Sequence, residues 1–334
     1  MFLKENYRLP AEWEPQSAVQ LTWPHAGTDW APMLDDISET YRQMVAAIER
    51  YEPVLTVSPG NTSYSTINVH CSTDDTWARD HGFITLVNDR GNARLLDFQF
   101  NGWGEKFPAS QDNAINRHIF DEGLLNGEYV SQLDFVLEGG SIESDGRGTV
   151  FTTTCCLMAP HRNQPMTQQQ IEERLKTALC ADRIVWISHG KLTGDDTDGH
   201  IDTLVRICPD DTLLYVGCDN PNDEQYDELQ LMGRELQDLR TIDGRPYRLL
   251  RLPMPQPIIE DDLRLPATYA NFLVINGAVL CPTYNQPDLD REALRLIGQA
   301  FPGRDIIGID CCSIIRQHGS LHCCTMQYPA GVIK

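Results

Sequence analysis

The sequence has no long uninterrupted apolar run and no excess of positive charge. No stretch approaches the roughly 20 apolar residues that cross a bilayer, so a membrane span is not predicted. The 334 residues carry 48 acidic and 27 basic side chains, a formal net charge of −21. A nucleic-acid surface needs the opposite sign, because it must neutralise phosphates. We therefore expect neither a membrane nor a nucleic acid as partner, whereas an acidic field draws in cations.

Two further features are missing: an export leader and the cysteine spacing of a metal site. Residues 1–6 lack the charged and apolar regions of a signal peptide, so we expect a cytoplasmic protein whose eleven cysteines are reduced thiols. Vicinal pairs occur at 155–156, 311–312 and 323–324, but none has the two-residue spacer of a zinc ribbon. His200 and Asp202 alone supply only two ligands. The sequence therefore predicts no metal.

A strand–strand–helix–strand unit recurs about five times along the chain. The clearest copy has strands at 271–275 and 278–283 around the hairpin turn Asn276-Gly277, a helix capped by Asp290, and a last strand at 305–309. Other copies predict helices at 33–50, 113–120, 167–179 and 223–239. The first copy lacks one hairpin strand. We predict that residues 319–326 supply this strand and close a ring.

Units of this kind cannot bury their faces singly. Arranged around an axis, they form one closed α/β domain over residues 1–334, with helices outside and the strand starts at a shared centre. A doubly wound parallel sheet is the competing architecture, but it rarely carries a hairpin in every unit.

Polar clusters lie near the strand starts of these units. They contain Cys323, Asp80, Glu138 and the pair His200 and Asp202. A thiol can attack a cationic carbon, an imidazole can move protons, and carboxylates can hold a positive substrate. Each cluster alone is more simply interpreted as a packed cysteine, a turn or an ion pair. Their occurrence together at comparable positions predicts one site.

Two cysteines compete for the role of nucleophile. Cys323 and Cys324 are neighbours, and on a strand they would point to opposite faces, so only one can serve. His200 and Asp202, two residues apart on a predicted strand, would share one face.

Taken in order, these clusters resemble the motifs of the Porphyromonas-type peptidylarginine deiminase family, within the pentein, or guanidine-modifying, superfamily. The match covers nearly the whole chain, in segments at residues 10–12, 23–24, 75–80, 100–104, 137–142, 196–202, 269–272 and 319–323. The resemblance implies a five-bladed α/β propeller of ββαβ units. It also implies a hydrolase that acts on a guanidine through a covalent cysteine intermediate, with no metal or organic cofactor.

The resemblance also implies roles for individual residues. Cys323, directly after a histidine, is the expected nucleophile and His200 the acid and base. Asp80 and Asp202 are expected to clamp the guanidinium group, and Glu138 to support His200.

Four further residues are expected to contact substrate. Trp77 falls where family members have an aromatic side chain in the pocket, and Trp103 offers a second aromatic face. Asn271 and Asp198 lie in other matching segments.

Acidic residues before Trp77 and before His200 favour a dication over free arginine, whose carboxylate needs a basic partner. The expected substrate is agmatine, hydrolysed to N-carbamoylputrescine and ammonia on a route to putrescine. Arg79 is expected to point away from Asp80. A free-arginine or peptidylarginine deiminase, an amidinotransferase and a non-catalytic guanidine-binding protein are the alternatives. A homodimer is compatible with the sequence.

Overall fold

The computed structural model describes residues 6–60 and 63–334. Residues 1–5, most of the segment on which the leader prediction rests, lie outside the described part. The strands are β1 (Gln16–Thr22), β2 (Val54–Ser58), β3 (Ile67–His70), β4 (Ile84–Val87), β5 (Ala93–Gln99), β6 (Glu128–Val136), β7 (Ile142–Ser144), β8 (Thr149–Thr153), β9 (Arg183–Ile187), β10 (Val205–Cys208), β11 (Thr212–Val216), β12 (Arg248–Leu252), β13 (Ile259–Glu260), β14 (Leu263–Arg264), β15 (Leu273–Ile275), β16 (Ala278–Thr283), β17 (Asp305–Asp310) and β18 (Thr325–Pro329). The helices are α1 (Leu34–Ile48), α2 (Ala78–His81), α3 (Gly102–Glu105), α4 (Ile115–Asp121), α5 (Thr154–Leu157), α6 (Gln168–Leu179), α7 (Tyr226–Asp238) and α8 (Pro287–Ala300).

Five sheets share one strand pattern, which makes this a mixed α/β fold. In each, an antiparallel pair is followed by a parallel third strand: β18-β1-β2, β4-β5-β6, β7-β8-β9, β10-β11-β12 and β15-β16-β17. The first sheet carries β3 as an additional parallel strand. The short pair β13-β14 forms a sixth sheet in the described part of the chain. The sequence predicted neither β3 nor this pair.

The longer helices form where apolar residues recur at helical spacing. In α6, Thr167 and Gln170 form a capping box at the start, and Ile171 and Leu175 are buried on one face. Helix α8 begins at Pro287, not at Asp290 as predicted, because proline fits the first helical position. Within the described residues, no helix is long and apolar enough to span a membrane.

The closing strand is confirmed, with a later start. Strand β18 pairs antiparallel with β1, but it begins at Thr325, and residues His322–Cys324 form a 3-10 turn before it. Asp202 likewise lies in the 3-10 turn Ile201–Thr203, directly after His200. The prediction that His200 and Asp202 share one strand face is therefore wrong, because the chain reaches β10 only at Val205.

Candidate active site

Each of the five sheets brings a predicted site residue to the start of its first strand. Asp80 lies in α2 before β4, Glu138 before β7 and His200 before β10. Asn271 precedes β15, and Cys323 precedes β18. Five equivalent turns thus carry five different functional groups. The position of the site residue relative to the first strand is thus the same in all five sheets, although the residue type differs.

Three of these turns are closed by the same hydrogen bond. A hydroxyl three residues downstream donates to the backbone carbonyl of the site residue or its neighbour: Ser141 to Glu138 at 2.6 Å, Thr203 to His200 at 2.8 Å, and Thr325 to His322 at 2.9 Å. Such local bonds compete with strand pairing and favour turns. A serine or threonine three positions after the residue whose carbonyl accepts is visible in the sequence. This spacing is the signal that would have predicted turns instead of strands.

The side chains converge on one point, which Gly140 marks. A Cβ atom on Gly140 would lie 2.6 Å from His200 Nδ1, 2.9 Å from Asp80 Oδ1 and 3.1 Å from Asp202 Oδ2. Cys323 Sγ lies 3.8 Å from Asp202 Oδ2. The thiol, the imidazole and two carboxylates predicted from distant segments therefore share one centre.

Cys323 is buried and lies among acceptor oxygens. Its Sγ atom is 3.4 Å from Asn271 Oδ1, which also accepts from the backbone N–H groups of His322 and Cys323. Burial, together with the carboxylates of Asp202 and Asp80, raises the pKa of the Cys323 thiol well above its ordinary value. These surroundings disfavour the thiolate form of Cys323.

Asp80 is held by two hydrogen bonds from different elements. Gly140 N–H donates to Oδ1 at 3.0 Å, and Trp103 Nε1–H donates to Oδ2 at 2.8 Å. Trp103 adopts left-handed backbone angles within α3, with φ 57°, flanked by two glycines of positive φ. That turn aims the indole at the carboxylate. Burial raises the pKa of Asp80, although His200 opposes this shift.

Several buried polar atoms at this centre have no hydrogen-bond partner among the described residues. They are Asp202 Oδ1, Glu138 Oε2 and both ring nitrogens of His200. Buried polar groups usually have partners, and exceptions cluster where ligands bind. Burial opposes ionisation of Asp202, yet the hydrogen bond and charge of His322 hold the pKa of this carboxyl below its ordinary value. The free Oδ1 is thus an available anionic acceptor.

A cavity of about 160 Å³ leads to Cys323. Its lining includes the aromatic side chains of Trp77, Trp103 and Phe107. The charged and titratable groups that line it are Asp29, Asp75, Asp80, Asp196 and His318. No lysine or arginine is found in this lining, taken over residues 6–60 and 63–334. Such a cavity suits a ligand that is positive at both ends.

Trp77 forms one wall of the cavity at close range to a loop. Its Nε1–H donates to Asp75 Oδ2 at 2.9 Å, and a Cβ on Gly319 would lie 2.2 Å from its ring. Burial raises the pKa of Asp75 to about 6. The wall is therefore fixed, and glycine at 319 permits the close contact.

The structure does not bring Asp198 into the cavity. Its Oδ2 atom accepts from Lys106 Nζ and from Arg162 Nη1, both at 2.7 Å. Arg162 also donates to Glu138 Oε1 at 2.9 Å. Asp198 thus reaches the centre only through Arg162 and Glu138. Arg162, unnamed by the sequence analysis, is almost fully buried between them.

Two clusters combine ligand types that metals prefer: Glu138 with Cys156 and His200, and Glu12 with Glu143 and His322. A guanidinium already neutralises the carboxylates in each, Arg162 in the first and Arg206 in the second. We therefore assign neither as a metal site.

The chain was compared with known proteins. The model of the Porphyromonas-type peptidyl-arginine deiminase family matches residues 8–329. An agmatine deiminase of Stutzerimonas stutzeri is 32% identical, over 99% of this chain and 98% of its own length. A crystal structure from Porphyromonas gingivalis, assigned provisionally as an arginine deiminase, has 47% identity and a TM-score of 0.94, covering 98% of this chain and 100% of that one. A substrate-bound agmatine deiminase variant from C. jejuni has 36% identity and a TM-score of 0.92, covering 99% and 98%.

Proposed function

Because the chain belongs to the Porphyromonas-type peptidyl-arginine deiminase family, we propose that it is an agmatine deiminase, which hydrolyses agmatine to N-carbamoylputrescine and ammonia. The observation that carries this proposal is the cavity above Cys323. Cys323 and four aspartates, Asp80 among them, line it with no lysine or arginine in the described part of the chain. His200 and Asp202 lie with Asp80 around Gly140. Agmatine has a guanidinium at one end and an ammonium at the other, and this cavity matches both charges.

We propose further that residues 1–334 form one pentein-type domain, a five-bladed propeller. Five sheets of one strand pattern, each with a predicted site residue before its first strand, support this arrangement, as does the convergence of Asp80, His200 and Asp202 around Gly140. The eleven free cysteines support a cytoplasmic location. A homodimer stays a prediction that light scattering tests.

In the proposed complex, Asp80 and Asp202 hold the planar guanidinium group. Guanidinium matches carboxylates with paired N–H donors in one plane. Asp202 contributes Oδ1, which has no partner among the described side chains, and each Asp80 oxygen keeps acceptor capacity beyond the one bond it makes. The central carbon then faces the Sγ atom of Cys323.

The bound cation is what ionises the nucleophile. The carboxylates that raise the pKa of the Cys323 thiol are paired with guanidinium in the complex, so their effect on sulfur is offset. The thiol passes its proton to His200, and the thiolate attacks the central carbon and forms a C–S bond while the C=N π electrons move to nitrogen. His200 gives a proton to one nitrogen, which leaves as ammonia, and a covalent thiouronium remains. His200 then takes a proton from water as its oxygen attacks the same carbon. The C–S bond breaks, sulfur takes up the remaining proton of the attacking water, and the neutral ureido product forms. The proton on His200 then passes to solvent, which restores the starting state.

Replacement of His200 and replacement of Asp80 are expected to affect different quantities: the first mainly kcat, the second both kcat and agmatine affinity. His200→Ala removes the proton carrier but leaves the charges that hold guanidinium, so kcat falls by about 10²–10⁴-fold while agmatine affinity changes little. Asp80→Asn removes half of the clamp, so affinity and rate both fall. Calorimetric binding on a Cys323→Ser background separates the two effects, and normal binding by Asp80→Asn would refute the clamp.

A preference between two substrates is also expected. Arginine carries an α-carboxylate that would lie among Asp29, Asp75 and Asp196 without a basic partner. We expect kcat/KM for agmatine to exceed that for arginine at least about tenfold, a gap of about 1.4 kcal/mol. Product analysis with both substrates side by side measures it.

Free-arginine deiminase is the second candidate, and the Porphyromonas gingivalis structure favours it by overall similarity. Equal use of both substrates, or a preference for arginine, would overturn the agmatine assignment and leave the deiminase chemistry standing. An amidinotransferase would form a new guanidine when a second amine is supplied. A non-catalytic binder would release no ammonia.

A further inference from the structure

A buried chain of charged side chains extends from Asp202 away from the substrate cavity. His322 Nδ1 lies 2.7 Å from Asp202 Oδ2, and His322 Nε2 is hydrogen-bonded to Glu12 Oε1. Glu12 also pairs with Arg206, and with Arg79 at 3.2 Å. His322 and Arg206 are buried, and the Glu12 side chain is 15% exposed. Glu12 therefore connects a buried carboxylate of the active site with solvent.

A second cavity of about 70 Å³ surrounds Glu12. Arg79, Glu143 and Gln327 also line it, and its lining shares no residue with the cavity above Cys323. Solvent thus reaches the two ends of the centre from separate cavities, Cys323 from one and Glu12 from the other.

The partners of His322 define its charge. Both ring nitrogens face carboxylate oxygens, and only the doubly protonated ring donates from both. Arg206 Nη2 lies 3.1 Å from Nε2, but guanidinium only donates, so with Nε2 protonated this contact is not a hydrogen bond and Arg206 Nη2 donates to Glu12 Oε2 instead. Each carboxylate in contact with the ring therefore stabilises the imidazolium, which in turn stabilises both as anions.

Charged groups from several elements face this chain, among them Glu143, whose carboxylate lies within 4.8 Å of Glu12 and of the His322 ring. Glu12 faces His322, Arg206 and Arg79, whose attraction outweighs burial and lowers the pKa of this carboxyl. Asp202 faces His322, His200 and the Cys323 thiol, with the charges of Arg206, Arg79 and Asp80 nearby. Glu143 pairs with Arg206 and accepts from Ile207 N–H.

We propose that His322 and Glu12 are positioning residues for Asp202: the imidazolium, held by Glu12, keeps Asp202 ionised and oriented toward the guanidinium of the substrate. This inference rests on the proposed function, since it concerns the same substrate. Neither residue contacts the substrate. Their effect reaches it only through the charge and orientation of Asp202.

The variant Glu12→Gln tests the proposal with little change of shape. Without the Glu12 charge, the His322 imidazolium loses a partner and Asp202 loses its cation, so Asp202 takes up a proton at higher pH. On a Cys323→Ser background, we expect agmatine affinity to fall between pH 8 and pH 5.5 by about tenfold more than in Cys323→Ser alone, because the proton that Asp202 takes up in this range must leave before the guanidinium group binds.

Glu14→Gln is the matched control. Glu14 lines the same second cavity, but it pairs with Arg8 at 2.6 Å and makes no contact with His322. On the same Cys323→Ser background, its pH profile should match that of Cys323→Ser alone. Identical profiles for Glu12→Gln and Glu14→Gln would overturn the proposal. So would a uniform loss of affinity in Glu12→Gln at every pH, because a merely structural role predicts that result.

His322→Ala provides a second measurement. In this variant the Asp202 cation is lost, and added imidazole, which can enter the space beside Glu12, should restore at least about a tenth of the lost kcat/KM. If imidazole restores activity to His322→Ala but not to the double variant with Glu12→Gln, the proposed roles of His322 and Glu12 are supported. Absence of rescue in a folded His322→Ala overturns the proposal. If the unmodified protein fails to release ammonia from agmatine, the proposed function fails instead.

Discussion

Cys323→Ser is expected to abolish turnover and leave the fold intact. A serine hydroxyl at neutral pH is far less ionised than a thiol, and the two carboxylates beside this position disfavour any anion there. Removal of a nucleophile of this kind lowers kcat by at least about 10⁴-fold. Ammonia release measures the loss. Mass spectrometry of the intact protein with agmatine should show a covalent adduct for the unmodified protein and none for the variant.

Cys324→Ser is the control for the same experiment, because the two thiols are adjacent and both are buried. Cys324 Sγ points to the Ser320 carbonyl at 3.5 Å and does not line the cavity. Its replacement should retain activity within about tenfold. An inactive Cys324→Ser beside an active Cys323→Ser would refute the nucleophile assignment.

Gly140→Ala is expected to lower kcat/KM by at least about 10³-fold, since a displacement of 1 Å at a reacting centre alone costs about 10²-fold. The added methyl would meet His200, Asp80 and Asp202 at 2.6 to 3.1 Å. The atoms it meets are the ends of side chains, which can move. We therefore expect the fold to survive, whereas the relative positions of these three side chains change. Circular dichroism and a thermal melt should stay close to those of the unmodified protein.

Two glycines serve as comparisons for Gly140. A Cβ at Gly60 would meet no atom within 4 Å among residues 6–60 and 63–334, so Gly60→Ala should keep full activity. A Cβ at Gly139 would lie 2.2 Å from the backbone carbonyl of Arg79, which cannot move without the turn, so Gly139→Ala should lose stability. Full activity of a folded Gly140→Ala would contradict the convergence of the three side chains on that point.

Periodicity in the sequence predicted most of the secondary structure. Alternating and helical patterns placed the strands and longer helices, because each unit buries one apolar face. The missing partner of β1 followed from counting strands in the first unit. The error at α8 has a local cause: Asp290 accepts from the backbone N–H groups of Tyr284 and Gln286 and so ties the preceding turn, while Pro287 begins the helix.

The site was predicted in part, for a physical reason. The sequence could predict that Asp80 and Cys323 lie near one centre, because each comes directly before a predicted strand and these strand starts were expected to meet. The pairing of Glu12 with His322 could not be predicted, because these residues are 310 positions apart and meet only in the folded chain. Asp198, expected to contact substrate, lies outside the cavity lining and pairs with Lys106 and Arg162, cations that an aspartate motif does not reveal. Its contact with substrate stays a prediction.

The pairing of β18 with β1 has a consequence for the time at which the protein becomes active. Tyr328 and Gln20 are hydrogen-bonded across these strands and stand 308 positions apart. A ribosome adds about 5–20 residues per second, so the first strand waits roughly 15–60 s for its partner. Cys323 enters the centre during the same event, because its turn directly precedes β18. A nascent chain with four finished sheets therefore holds Asp80, Glu138 and His200, and Cys323, the proposed nucleophile, joins them only when the first sheet is completed.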